Sequence, residues 1–178
     1  MIKNGLGKAL LFGLAGLAAM NHMDKQRESY GGVSEVTGSA LAALLAELHS
    51  IKSMAWVAHW NASGPDFYGT HLMFQRIYEG MTVLIDDLGE RYVAYTKQPV
   101  NFAQFVQPAQ SFPAGSQDAA KVLLVKIQGA QALSDSARMS LSGATGVSVA
   151  GLDDYLMALN NTLDGFSYLL IRYIGTAQ

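Results

Sequence analysis

The sequence predicts an all-α protein, a four-helix bundle with a short helix in its middle connection. Three observations carry that expectation. Apolar residues recur at three-and-four spacing along four long stretches, which is the pattern of one buried helical face. Clusters of glycine and proline fall between those stretches. No segment shows sustained period-two alternation bounded by turn signals, so no sheet is expected.

The first helix is expected from Val36 to near Asn61. Its apolar positions are Leu41, Leu44, Leu45, Leu48, Ile51, Met54 and Val57, and Ser63-Gly64-Pro65 stops it. The second begins after Asp66, carries Leu72, Phe74, Ile77, Tyr78, Met81, Leu84, Ile85 and Leu88, and fades around Tyr95, before Gln98-Pro99. Residues 98–115 hold three of the four prolines, and within them Asn101–Val106 suits a short helix pinned by Phe102 and Phe105. The third helix is expected from Ser116 or Gln117 to about Leu141, with Val122, Leu123, Val125, Ile127, Ala130 and Leu133 apolar. Ser142–Gly146 is the next break. The fourth runs from about Val149 to Ile174 through Leu152, Leu156, Leu159, Leu163, Phe166, Leu169 and Leu170. Four long helices around a longer middle connection form a bundle plan.

Composition narrows the class further. Of 178 residues, half are apolar and 15% are charged, enough for one domain with a sizeable core. So few charges leave much of each helix facing other protein, which favours a subunit of an assembly. The formal charge of −2 excludes a globally basic nucleic-acid binder, though not a local basic arm. The absence of cysteine removes disulfides, thiol catalysis and Cys-zinc sites together. No glycine-rich phosphate loop, nucleophile elbow or hydrolase triad is recognisable.

Residues 1–32 differ from the rest and form an expected arm, divided from a bundle domain at 33–178 by the hinge Tyr30-Gly31-Gly32. Lys3 and Lys8 precede an apolar run, Ala9–Met20, too short for a bilayer span, which needs about 20 residues. The run resembles a signal-peptide core behind a basic region, but Ala-Ala-Met-Asn-His-Met offers no clean small-x-small cleavage site. A docked arm or a membrane-active one are the competing expectations.

The chemistry lies between His59 and Glu90. His59 closes the first helix. His71 stands near the start of the second, Gln75 one turn later, and Asp86 and Glu90 further along. At 3.6 residues per turn, positions 71, 75, 79, 82, 86 and 90 make a slowly drifting stripe. Imidazole nitrogens with carboxylate oxygens are a donor set for iron, manganese or zinc. Nineteen residues at 1.5 Å separate His71 from Glu90 by about 28 Å along the helix. One metal cannot reach both within one chain, so a shared site needs two subunits meeting antiparallel. Taken singly, a bundle histidine is more often a hydrogen-bonded structural residue, and an Asp-x-x-x-Glu pair more often a charged helix face.

The whole string is more specific. His59-Trp-Asn-Ala-Ser-Gly-Pro-Asp-Phe-Tyr-Gly-Thr-His71, followed by Phe74, Tyr78-Glu79, Asp86 and Glu90-Arg91, resembles the signature of the Dps family, the DNA-binding proteins from starved cells. That pattern reads His-Trp-Asn, two residues, Gly-Pro-x-Phe, then His, an Asp, a later Asp, and Glu-Arg. The resemblance is specific over residues 44–92, consistent through the Asn101–Val106 connector and Tyr168–Arg172, and does not reach the first 32 residues.

It implies a ferritin-like bundle, assembly into a hollow homo-oligomer (a dodecamer), and a stress-response role in the cytoplasm. It further implies oxidation of Fe(II), preferentially by peroxide, with storage of ferric iron inside. By position, His59 and His71 would be metal ligands from one subunit, and Asp86 and Glu90 from the other, these four forming the ferroxidase centre. Trp60 beside them would quench oxidising equivalents or simply pack an interface.

One departure matters. Where the family has an aspartate one turn after His71, this chain has Gln75, a neutral amide that removes one negative charge. Only Glu79 adds a further carboxylate on the stripe, and the interior is lean in acid. The alternative expectation is therefore a non-catalytic structural or interaction protein, such as a virion or membrane-associated shell, which the apolar glycine-rich arm favours. A third is DNA binding through Lys3, Lys8, Lys25 and Arg27 of the arm, by counterion release.

Overall fold

A computed structural model describes residues 33–101, 103, 112–141 and 147–176. The arm at 1–32, the break at 142–146 and nearly all of the expected Asn101–Val106 helix lie outside the described residues. Among the described residues are four helices: α1 at Glu35–Trp60, α2 at Phe67–Thr96, α3 at Ser116–Ser140 and α4 at Val147–Thr176. Their ends match the expected boundaries to within two residues, because the stop signals are local.

Ser34 caps α1, accepting the Thr37 backbone N–H at 3.2 Å. The fully buried Thr37 hydroxyl is satisfied in turn by Ser34 at 2.9 Å and by Ser140 of α3 at 2.7 Å. Between α1 and α2 the chain turns through Gly64 at φ 97°, a left-handed conformation that glycine adopts without strain. Lys97 ends α2 at φ 59°, its N–H closing on the Val93 carbonyl at 3.0 Å.

Contacts across the helices give their directions. Val33 N–H donates to Tyr95 O, so the start of α1 lies beside the end of α2. Thr37 meets Ser140, and Glu47 meets Lys126 at 3.3 Å, so α1 also runs antiparallel to α3. Gln117 donates to Tyr173 O, setting α3 antiparallel to α4. Hence α2 and α3 point the same way. The connection from 97 to 115 must return the length of the bundle, about 38 Å for the 25 residues of α3. Its 19 residues reach roughly 60 Å when extended, which is ample.

The core is one cluster drawn from all four helices, led by Leu41, Leu44, Leu48, Phe74, Met81, Leu123 and Leu156. The buried residues of α3 are small: Ala119, Ala120, Ala130, Ser134 and Ala137 beside only Leu123 and Ile127. Near its C-terminal end α1 likewise turns Ala55 and Ala58 inward, and the expected Met54 and Val57 are only half-buried. Leu72 and Val125, expected on the apolar faces, are exposed. These faces drift because 3.6 residues per turn does not match a strict three-and-four repeat.

Fewer contacts join α2 to α4, and they are specific. The Tyr155 O–H donates to the Leu84 carbonyl at 3.0 Å, and Arg91 lies over the Tyr155 ring at 4.0 Å from its centroid. Burial pushes the Tyr155 phenol well above its ordinary value, against the opposing pull of Arg91, so it stays a donor. Gly80 admits Phe166: a Cβ there would collide with the ring's outer edge.

Two predictions follow from this packing. Gly80→Ala should destabilise the fold in urea titration despite alanine's better helix propensity, since overpacking costs about 1–3 kcal/mol against roughly 1 kcal/mol of propensity. Gly165→Ala meets nothing within 4 Å and should stabilise by up to about 1 kcal/mol.

His49 supplies a pH dependence. Burial, then the neighbouring Lys52, hold its pKa below the ordinary 6.5, so the folded state favours the neutral ring. The unfolded chain binds the proton more readily, so this contribution is present above pH 6.5 and is lost as pH falls from 6.5 through the folded value. Replacing His49 with Gln should flatten the urea midpoint across that acid window relative to the parent.

Candidate functional site

The turn between α1 and α2 brings two histidines together. His59 is on the last turn of α1 and His71 in the second turn of α2. Their rings stack with centroids 3.7 Å apart and planes at 27°. His59 Nδ1 lies 3.0 Å from the His71 carbonyl oxygen, and His71 Nδ1 lies 3.1 Å from the His59 carbonyl oxygen. A carbonyl only accepts, so both Nδ1 atoms carry protons and donate. In the neutral ring this leaves Nε2 with a lone pair. A side-chain nitrogen oriented by an Nδ1–H bond to a backbone carbonyl is the usual state of a metal-ligating histidine. The same bond satisfies the His59 carbonyl, one of those a helix C-terminus leaves without an intrahelical partner.

Aromatic rings surround the pair. Phe67 packs on His71 with centroids 5.1 Å apart, and Tyr78 meets His59 edge-on at 5.3 Å. Tyr78 also stacks on Trp56 at 5.8 Å, and Trp56 contacts Trp60 at 5.2 Å. Trp56 and Trp60 are the chain's two tryptophans, and both are exposed.

Gln75, one turn beyond His71, is tied down by its neighbour. Its Nε2 donates to Glu79 Oε1 at 2.8 Å, an exposed i,i+4 contact along α2. Glu79 is thus engaged with the Gln75 amide.

Asp86 and Glu90 lie elsewhere. They are exposed, one turn apart on α2, and line an open groove of about 620 Å³ together with Leu45, Ile85, Val93 and His49. Among the described residues of one chain, no three His, Cys, Asp or Glu side chains are placed to hold a metal ion. The fold therefore joins His59 to His71 and keeps that pair apart from Asp86 and Glu90.

Two participants had been passed over in the sequence. Trp56 stands three residues before His59 and four before Trp60, the spacing of neighbours on a helix face. His49 reaches the carboxylate groove from α1, and only the pairing of α1 with α2 reveals it.

No family model matches the chain. Among known proteins it is 25% identical to General stress protein 20U of Bacillus subtilis over 66% of this chain and 82% of that one. It is 43% identical over 42 residues to the DNA protection during starvation protein of Helicobacter pylori. It is 38% identical over 55 residues to DNA protection during starvation protein 2 of Deinococcus radiodurans. Those two matches span 29% and 23% of the respective relatives. Among solved structures, Dps from Microbacterium arborescens in a high-iron form superimposes with a TM-score of 0.63 at 19% identity, covering 81% of this chain and 98% of that one. A Mycobacterium smegmatis Dps1 mutant gives 0.60 at 19% identity, covering 80% and 99%. The chain has an all-α four-helix fold like that of these Dps structures, and over short stretches its sequence is similar to DNA protection during starvation proteins.

Proposed function

We propose that this chain is the subunit of a Dps-like hollow homo-oligomer that binds Fe(II) between subunits, oxidises it and stores the ferric product. The observation that carries this reading is the reciprocal imidazole–carbonyl pairing of His59 and His71, which leaves both Nε2 atoms as donors. The exposed Asp86 and Glu90 supply the anionic half. About 28 Å of helix separates the two halves on one chain, so an antiparallel neighbour completes the site. Nitrogen with carboxylate donors suits a ferrous substrate ion, and peroxide is the oxidant the family resemblance favours. A dodecamer, the cytoplasm, and DNA contact through the arm at 1–32 belong to the same reading.

The hydrogen bond from Gln75 to Glu79 favours a second reading. With a neutral residue at 75, and Glu79 bound to it, the site is short of charge, and the bundle would serve as a shell without catalysis, on a virion or a membrane. Fe(II) oxidation by the purified protein, with peroxide and with oxygen in separate runs, decides between them. The ferroxidase reading expects oxidation faster than the buffer alone. It further expects loss of that rate in His59→Ala, His71→Ala, Asp86→Ala and Glu90→Ala, with assembly unchanged. A rate equal to buffer leaves the shell.

Gln75→Asp adds a test of the departure. It places a carboxylate beside His71 and one turn from Glu79, where like charges repel until a cation binds. Bonds to charged groups are typically worth roughly 1.5–3 kcal/mol, so iron affinity should rise about tenfold or more in equilibrium titration. An unchanged affinity in a normally assembled variant would remove position 75 from the site.

A further inference from the structure

The seam between α3 and α4 carries polar side chains in matched pairs. Asn160 Nδ2 donates to Asp135 Oδ1 at 2.9 Å, and Gln131 Nε2 donates to Asp164 Oδ1. Gln131 and Asp135 are one turn apart on α3, and Asn160 and Asp164 one turn apart on α4. The four side chains therefore form a square across the seam. A carboxamide facing a carboxylate must present its N–H, because two acceptors repel. Each amide thus turns its carbonyl oxygen away from its partner, and each bond uses one oxygen of its carboxylate.

Two side-chain polar atoms among the described residues are buried without a hydrogen-bond partner, Asn160 Oδ1 and Ser167 Oγ. Both belong to α4, and positions 160, 164 and 167 fall at the spacing of one helix stripe, so the two oxygens flank Asp164. Ser167 is only 8% exposed. A buried oxygen left unpaired is costly, and two on one stripe mark a place where something meets them. Asn160 Oδ1 only accepts, so a proton donor or a cation must satisfy it. The surrounding charge selects a cation. Asp164 has no ion pair among the described residues, and Asp135 lies 3.7 Å from Arg138, whose nearer partner is Asp153 at 2.8 Å.

We infer that this square binds one hard divalent cation of the calcium class. Asp164 and Asp135 supply the charge, Asn160 Oδ1 and Gln131 Oε1 are neutral oxygen donors, and water completes the shell. Ser167, one turn beyond Asp164 on the same stripe, donates its hydroxyl to a water of that shell. Every donor is an oxygen, and α3 and α4 contain no histidine or cysteine, so the seam does not favour iron, zinc or copper. Magnesium demands a near-ideal octahedron, whereas calcium accepts six to eight oxygens in irregular arrangements, which suits carboxamides and carboxylates spread over two helices. The bound ion ties α3 to α4. The site uses those two helices alone and stands independently of the ferroxidase reading.

The test titrates the metal-free, full-length protein with Ca2+ by calorimetry and equilibrium dialysis, and follows thermal melting with and without Ca2+. One Ca2+ per chain is expected, with a dissociation constant on the order of 10⁻⁴–10⁻³ M for so few charged ligands. Binding should be unchanged in His59→Ala and Asp86→Ala, which separates this site from the proposed iron site. Asp164→Asn keeps an acceptor for Gln131 and should weaken binding about tenfold or more. Asn160→Asp sets a carboxylate against Asp135, so the metal-free variant should melt below the parent, while Ca2+ should bind it more tightly and close that gap. No saturable uptake up to about 10 mM overturns the site, as does an affinity indifferent to both substitutions. An Asn160→Asp protein that melts low and stays low with Ca2+ also overturns it, and leaves the two buried oxygens to water.

Discussion

Two hydrogen bonds at the α1–α2 turn, each from an imidazole N–H to the other histidine's carbonyl, organise this end of the bundle. They require the chain to reverse within six residues, which Gly64 permits through its left-handed backbone. They also require α1 to stop at Trp60, where the His59 carbonyl accepts the Ala62 N–H of the turn at 3.4 Å and the His71 imidazole as well. Once both bonds form, the rings are stacked, their protons assigned, and Tyr78 on the same helix as His71 is brought against His59. The direction in which α2 leaves the turn is fixed by the same contacts.

From there the rigidity of a helix sets the rest. Along α2, burial falls on Phe74, Ile77, Met81, Leu84 and Leu88, and this leaves Gln75, Glu79, Asp86 and Glu90 on the opposite, solvent-facing side. A straight helix cannot fold its two ends together, so the imidazoles and the carboxylates are held at a constant separation. In the proposed site, a second copy of the same surface would bring the two groups into register, which is the self-complementary logic of a two-fold interface.

Much of this was legible in the sequence. Helix ends were readable where their causes are local, as at Ser63-Gly64-Pro65 after α1 and before Gln98-Pro99 at the end of α2. His59, His71, Asp86 and Glu90 were singled out as candidate ligands from spacing and resemblance, and the fold sets the first two side by side and the last two apart from them. The parts that were not readable depend on pairing between helices. Nothing in the chain order says that Tyr78 stacks on Trp56, that His49 shares a groove with Glu90, or that Gln75 turns to Glu79. The exposed Leu72 and Val125 were misjudged for a related reason, since periodicity marks a face but not where its edges lie once neighbours have packed against it.

The small residues along α1 and α3 have a consequence for how this protein can change over generations. Ala55, Ala58, Ala119, Ala120, Ala130 and Ala137 are buried, each filling its place in the core with a single methyl group. Trimming an alanine removes almost nothing, so losses of volume there are mild, while any gain must push helices apart. Drift along this seam is therefore one-sided. Sequence variation should accumulate on the leucine-rich layers and the outer faces, and the seam between α1 and α3 should stay small long after the charged residues of the surface have turned over.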